Sequence, residues 1–518
     1  MIKNQTTTHK ILIITLLLGL FVLLTSVSGV HASQNVYVNA TGGNDSNDGS
    51  SEHPYQTIDQ AMKNVDENGT VKIADGTYKG KGNTNLTISK NMKIIGQHQK
   101  KTIINGEGTN WIFKVSKGVN VTILNLTLTN GTAKNGGAIY NEGTCNVRDC
   151  IFTGNTATSG GAIYNYYSIT NLSYCTFTGN KATDSGGAIH NYYSITNLSY
   201  CTFTGNTATN GGAFDNMGTC KMHNCAFTGN TATYGGAIDN FGHSIANLNV
   251  NNCTFQNNKA TNGGAIFNSN NCTCNVSSCT FTGNTATTGG AFDNMGTCTI
   301  HFNRFVNNTA TNGNAIYCIG GTVDVRYNWW GSNTNPKNIT NLIAGKVDNV
   351  DSGSWLVLSI TPRKNSIDAG GKTVVTVDLL HDCNGVYHDP ANGHVPDGTV
   401  VTFSASNGTL NPITTELVNG SAVTTLTAKS EGKSIIQATI DNQTVLTEVT
   451  VNPVKPTPVD PVKPAPVKPD TPNSNDNGTQ QGTVHAASTM GLQKTGIPLN
   501  WLLLGLIMVF GAFGMRRK

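Results

Sequence analysis

The chain has 518 residues, of which 37% are hydrophobic and only 12% charged, with a formal net charge of +4. A balance this close to neutral gives no electrostatic footprint for nucleic acid. The charged fraction is about half that of ordinary globular domains, so solubility has to come from Asn, Thr, Ser and Gly. At the N-terminus, Lys3 and Lys10 lead into an apolar run from Ile11 to Leu24, and Val30-His31-Ala32 ends it with a small-residue cleavage pattern. Residues 1–32 therefore read as a secretory signal, and the mature chain is expected to begin near Ser33.

Residues 33–130 are expected to form a cap and the first coils of a solenoid. Their stretch VYVNATGGNDSNDGSSEHPYQTIDQAM resembles the opening of many pectin-lyase-like β-helices. Within it, Gly42 to Ser50 (GGNDSNDGS) presents Asp45 and Asp48 as candidate calcium ligands. The terminal glutamate of an EF-hand loop is missing, which favours a turn-rich cap.

Between Gly136 and Cys318 one hexapeptide recurs eight times, as GGAIYN, GGAIYN, GGAIHN, GGAFDN, GGAIDN, GGAIFN, GGAFDN and GNAIYC, every 24 to 28 residues. A unit this short cannot bury an apolar face alone, so neighbouring copies must stack and share a core. The fourth letter is always Ile or Phe while the fifth varies, which is the alternation of a strand with the fourth inward and the fifth outward. Further short strands follow in each unit, with TGNTAT and paired glycines turning the corners. Residues 131–350 are therefore predicted to be the repeat region of a right-handed parallel β-helix. Three strands per turn of about 25 residues and some eleven coils would give a rod on the order of 50 Å long. Leucine-rich repeats are excluded, because L-x-x-L-x-L spacing is absent.

Identical letters should then stack. The Asn closing seven hexapeptides (Asn141, Asn165, Asn191, Asn216, Asn240, Asn268, Asn294) reads as an amide ladder. Cys150, Cys175, Cys201, Cys225, Cys253 and Cys279 read as a buried row of thiols, with disulfides as the alternative. Cys272 and Cys274 lack the spacing of a structural zinc site. The outward fifth-letter row places Asp215, Asp239 and Asp293 in line, the first two on consecutive coils. They are either a solvated row or a pair holding a hard cation such as calcium, and no other cofactor is implied. Tyr140 and Tyr164 from the same row, with Tyr166, Tyr167, Tyr192 and Tyr193 from the following turns, form a candidate aromatic binding patch. Asn-x-Ser/Thr triplets such as Asn171-Leu-Ser173 and Asn197-Leu-Ser199 are candidate glycosylation sites, whereas Asn252, beside a core cysteine, is expected to be inaccessible.

Residues 351–452 abandon the period for longer alternating strands, TVVTVDLL, GTVVTFSAS and SAVTTLTA, the pattern of a β-sandwich. Pro396-Asp397-Gly398 with VVTFSASNGTL, NGSAVTTLTA and SIIQATIDNQT resembles a bacterial Ig-like domain of the invasin and intimin type, which implies a stalk module. His381, Cys383, His388 and His394 cluster in HDCNGVYHDPANGH, yet their spacing matches no standard zinc pattern and reads as a polar loop. Residues 453–490 are a Pro-rich and then polar linker, a semi-rigid spacer.

Residues 491–518 close the chain. Leu492-Gln493-Lys494-Thr495-Gly496 resembles the L-P-x-T-G sorting signal of wall-linked proteins, with Gln493 in place of the proline. Ile497 to Met515 is long and apolar enough to span a bilayer, and Arg516, Arg517 and Lys518 would hold its far end in the cytoplasm. The chain is thus anchored in the membrane or, after sorting, in the wall. The repeats, the YNWWGSNTNP stretch (Tyr327 to Pro336) and this tail together resemble adhesin-like surface proteins of methanogenic archaea, and the repeats alone resemble those of polymorphic outer membrane proteins. The resemblance implies a non-enzymatic cell-surface adhesin binding extracellular glycans or surface proteins of other cells. Pectin-lyase-like folds also host polysaccharide lyases and hydrolases, but the N-T-D, D-D and G-H-G patterns of those enzymes, which carry paired carboxylates, are missing. A carbohydrate-active enzyme is the second expectation and an architectural envelope protein the third.

Overall fold

A computed structural model describes residues 34–242 and 246–454. The secretory signal, the Pro-rich and polar linker beyond residue 454, the sorting-like motif and the expected membrane span lie outside these residues. Among the described residues no helix is long and apolar enough to cross a membrane.

Residues 34–351 wind into a right-handed parallel β-solenoid of about eleven turns. Strands of successive coils pair in parallel and in register, for example Ile139, Ile163, Ile189, Phe214, Ile238, Ile266, Phe292 and Ile316, each beside the next. The expected three strands per turn become four where the T-A-T segment also pairs, as in Ile163–Tyr166, Ile169–Ser173, Thr176–Thr178 and Lys181–Ser185. The paired glycines are required at these corners. Gly186 has φ +64°, and a Cβ on Gly187 would lie 2.0 Å from the Gly212 carbonyl oxygen of the next coil.

Side-chain columns fill the interior. Phe152, Phe177, Phe203, Phe227, Phe255, Phe281 and Phe305 stack with ring centroids 4.7–5.0 Å apart, and Trp330 continues the column 4.9 Å beyond Phe305. The hexapeptide Asn row is buried, and from Asn191 to Asn294 each amide donates to the next at 2.7–2.8 Å. Asn141 and Asn165 bond instead to Thr170 and Thr196. The Asn of the T-G-N corner, or of its Q-N-N and V-N-N counterparts, forms a second ladder, Asn155, Asn180, Asn206, Asn230, Asn258, Asn284 and Asn308, with rungs of 2.9–3.0 Å. All thirteen cysteines are free thiols, twelve of them buried. Burial pushes the Cys145 thiol up to about 12, so thiolate is scarce at that position, and lack of solvent access shields the other buried thiols. Iodoacetamide on the native protein at pH 8 is expected to label Cys383, the half-buried one, and to spare the other twelve until denaturant is added, as read by mass spectrometry.

A solenoid leaves unpaired edges at both ends. The first coil is covered by a short helix, Ile58–Asn64, whose N-cap Thr57 accepts from the Gln60 amide and whose Ile58, Ala61 and Met62 are buried. Asp45 holds that cap in place, accepting from the Gln56 and Thr57 amides and the Thr57 hydroxyl.

Beyond the last coil, a four-stranded sheet (Leu356–Pro362, Lys372–Asp382, Ser421–Thr427, Thr409–Asn411) faces a five-stranded one (Ser366–Asp368, Gln443–Asn452, Gly432–Ile440, Val400–Ala405, Thr414–Glu416) across a shared core. Val375, Val377, Val401, Leu426, Ile436 and Val449 are fully buried there. The two adjacent tryptophans of YNWWGSN join the halves, because successive side chains leave an extended backbone on opposite sides. Trp330 belongs to the solenoid core and Trp329 to the core between the sheets. Asp441, in the turn after Ile440, accepts from Trp329 Nε1 at 2.7 Å and from Arg304 Nε of the solenoid at 3.0 Å, with a second bond from Arg304 Nη2. Asp441→Ala would leave a largely buried guanidinium and an indole N–H unpaired. It is expected to cost about 3 kcal/mol, measured as an earlier urea transition of residues 351–452.

Candidate functional site

The solenoid gathers the predicted site residues on one side but distributes them differently from the expectation. Tyr140, Tyr164, His190, Asp215, Asp239, Phe267, Asp293 and Tyr317 do form one registered row. That row was expected to be outward and solvated. Instead, Tyr164, His190, Asp215, Asp239, Phe267 and Asp293 are buried, because the segment before each glycine pair lies over them. Thr288 and Asn262 donate to Asp293 Oδ2 at 2.6 and 3.3 Å, and the ring of Tyr234 sits 5.4 Å from that of Phe267.

Under this cover runs a polar column. Lys114 lies over the Tyr140 ring, which stacks on Tyr164 at 5.5 Å, which stacks on His190 at 5.1 Å, and His190 Nδ1 meets Asp215 Oδ2 at 2.7 Å. Asp239 stands beside Asp215 on the next coil. Oδ1 of Asp215, Asp239 and Asp293 has no hydrogen-bond partner. Burial and the neighbouring Asp215 carboxylate push Asp239 well above the usual carboxylate range, and burial raises Asp293 despite its two donors. The calcium reading of Asp215 and Asp239 is not assembled further, since no three His, Cys, Asp or Glu side chains converge on a metal-sized point among the described residues. The same holds for the histidine-rich loop: His381 contacts Asp378, His388 contacts Asp382 and His394 contacts the Val395 carbonyl. Asp48 serves its own turn, accepting from the Ser50 amide.

A carboxyl group whose pKa is raised on folding holds its proton in the native state while the unfolded chain releases it near 3.8. Native protein then binds more protons than unfolded protein above that value, so this group's contribution to stability declines as pH rises through the window up to its folded-state pKa. Denaturation midpoints should fall from pH 4 to pH 8 through Asp239. Asp239→Asn should remove that part of the slope and unfold later than the parent at pH 8; an unchanged slope would refute the assignment.

The exposed aromatic groups lie one turn further on. Tyr166 and Tyr192 stack at 5.6 Å, Tyr167 and Tyr193 at 5.4 Å, and the pairs meet edge to face at 4.8 and 4.6 Å. Tyr167 is 63% exposed. The predicted patch thus divides: Tyr164 is sealed and Tyr140 half-buried with its hydroxyl on Glu142, while Tyr166, Tyr167, Tyr192 and Tyr193 face solvent to differing degrees. A second exposed pair was missed. Tyr174 and Tyr200, at the far end of the following strands, stack at 4.9 Å with planes 3° apart. Its signal was present in the duplicated string YYSITNLSY, found at residues 166–174 and 192–200. Asn252, expected to be inaccessible, is exposed, because it occupies the turn before Cys253 and not the strand. Asn171 and Asn197 are engaged in an amide ladder with Asn146.

The model of a protein family of unknown function (DUF1565) matches residues 41–216, and that of the Chlamydia polymorphic membrane protein repeat matches residues 252–269. No curated protein matches the chain. Among solved structures, the C-terminal 282-residue fragment of intimin, in complex with the intimin-binding domain of the translocated intimin receptor, is 26% identical. The alignment covers 18% of this chain and 32% of that fragment, with a TM-score of 0.14.

Proposed function

We propose that this protein is a cell-surface adhesin: an exported, C-terminally anchored chain whose solenoid presents an exposed aromatic face to glycans or surface proteins of other cells. The observation that carries this reading is the cluster of solvent-facing tyrosines on two consecutive coils of an otherwise Asn- and Thr-rich rod. Large apolar groups gathered on the outside of a rigid scaffold mark interaction sites. The match to a polymorphic membrane protein repeat and the resemblance to methanogen adhesin-like proteins support display at a surface. In the same reading residues 351–452 are an Ig-like stalk module, fixed rigidly to the rod by Trp329, Arg304 and Asp441, and the apolar tail is the anchor.

The reading is non-enzymatic. The neighbouring carboxylates Asp215 and Asp239, which would suit acid–base cleavage of a polysaccharide, are sealed beneath the covering segments, out of reach of a substrate. Replacing Tyr166, Tyr167, Tyr192 and Tyr193 by Ser should reduce attachment of protein-displaying cells to their target surface by about tenfold or more, the scale of aromatic hot spots. Unchanged attachment, or release of shortened polysaccharide by the purified protein, would overturn the proposal.

A further inference from the structure

One turn of the solenoid forces a left-handed backbone on the residue before each ladder cysteine or its equivalent. Asn125, Asp149, Asn224, Asn252 and Ser278 occupy it with φ of 51° to 55°. These types suit the conformation, whereas bulky side chains are disfavoured there. Four coils nonetheless place an aromatic ring at it: Tyr174, Tyr200, Phe302 and Tyr327, with φ of 53° to 59°. For Phe302 and Tyr327 the reason is visible. Both pack on the loop after Asp382, with His388 5.9 and 4.5 Å from their ring centres and Gly393 pressed against the Phe302 ring. In this chain, then, a ring at the strained position docks a polypeptide loop. Tyr174 and Tyr200 carry the same strain, yet they are 50% and 49% exposed.

Resting on the adhesin reading above, we infer that Tyr174 and Tyr200 form, with Ile169, Ile195 and the Tyr167/Tyr193 pair, a docking strip for a short uncharged polypeptide segment of a partner protein. Ile169 and Ile195 stand side by side, half-exposed, between the two tyrosine pairs. Three features favour polypeptide over sugar. The rings of Tyr174 and Tyr200 stack face to face along the rod, with the Arg148 guanidinium 5.6 Å from Tyr174 on the preceding coil and His223 edge-on to Tyr200 on the following one. Their faces are thus occupied, and ring edges and hydroxyls meet the solvent, whereas a sugar packs its C–H groups on a free face. Exposed isoleucine offers a sugar nothing but suits an apolar side chain. No residue of the strip itself carries a charge; at its margins Arg148 pairs with Asp149 at 3.0 Å, and Lys221 stands exposed beside Asn197 on the following coil. Its size fixes the scale of the partner: one five-residue strand length, about 17 Å, by two coils falls well short of the roughly 800 Å² per side of a stable interface between folded proteins.

The test pans a displayed library of random linear peptides, in parallel with an array of neutral and acidic glycans, on the full-length protein and on Tyr174→Asn/Tyr200→Asn. Asparagine is native to this turn in other coils, so the double variant should unfold no earlier than the parent while binding selected apolar peptides about tenfold or more weakly. Ile169→Thr/Ile195→Thr, altered only at exposed strand positions, should lose the same peptides. If no peptide prefers the parent, or if glycans bind and depend on these tyrosines, the inference fails and the adhesin reading stands. If cells displaying the protein attach to nothing, both fail.

Discussion

The repeated coils of this molecule are held by having the same residue above and below at several positions. A buried asparagine amide is costly alone, since each unmade hydrogen bond in the interior costs about 1–3 kcal/mol against about 1 kcal/mol gained net when made. In the two ladders each side chain donates to its neighbour and accepts from the other side, so a coil displaced by one residue would orphan several groups at once. The phenylalanine column adds stacking worth about 0.5–1.5 kcal/mol per pair beyond burial. Register is thus enforced chiefly by what misalignment would leave unsatisfied, and only secondarily by what alignment gains.

That logic has to stop somewhere, and the two ends solve the problem differently. At the first coil a helix of seven residues is enough, tied down by Asp45 through three hydrogen bonds. At the last, the ring column runs into Trp330 while its neighbour Trp329 turns the other way into the next core. A single peptide unit therefore belongs to two hydrophobic cores. With Arg304 and Asp441 closing over it, the rod and the two-sheet unit are joined by side chains that each contributes to the other.

Much of this was legible in the letters. The 24-to-28-residue period gave the solenoid, the always apolar fourth letter gave the core, and seven hexapeptide asparagines gave one ladder. The second ladder escaped because Asn in T-G-N also makes good turn chemistry, and a turn reading explained it fully. The fifth-letter row was misplaced for a different reason. Alternation states from which side of the sheet a side chain leaves, and Asp215 and Asp239 do leave away from the ring column. It cannot state that Asn262, Thr288 and Tyr234 from the adjoining corner will fold over that side. Backbone conformation was equally hidden: nothing in the letters says that Tyr174 must adopt φ +54°.

In a stacked repeat the consensus residue at each position is the one that lets the next coil close, so information about anything other than folding is carried by departures from it. The departures here fall into two kinds. His190, Asp215 and Asp239 interrupt the aromatic residues of a covered row, where they interact mainly with one another and make the interior sensitive to protonation. Tyr174 and Tyr200 stand on the outside where five other coils carry Asn, Asp or Ser, and no loop packs on them as the His388 loop packs on Phe302 and Tyr327. A strained substitution rewarded within the fold only by stacking on its twin, Arg148 and His223 finds the rest of its explanation in a contact outside the fold. Two near-identical coils carrying the same substitution, with the same isoleucine and the same tyrosine pair beside it, place that explanation on one face of the rod.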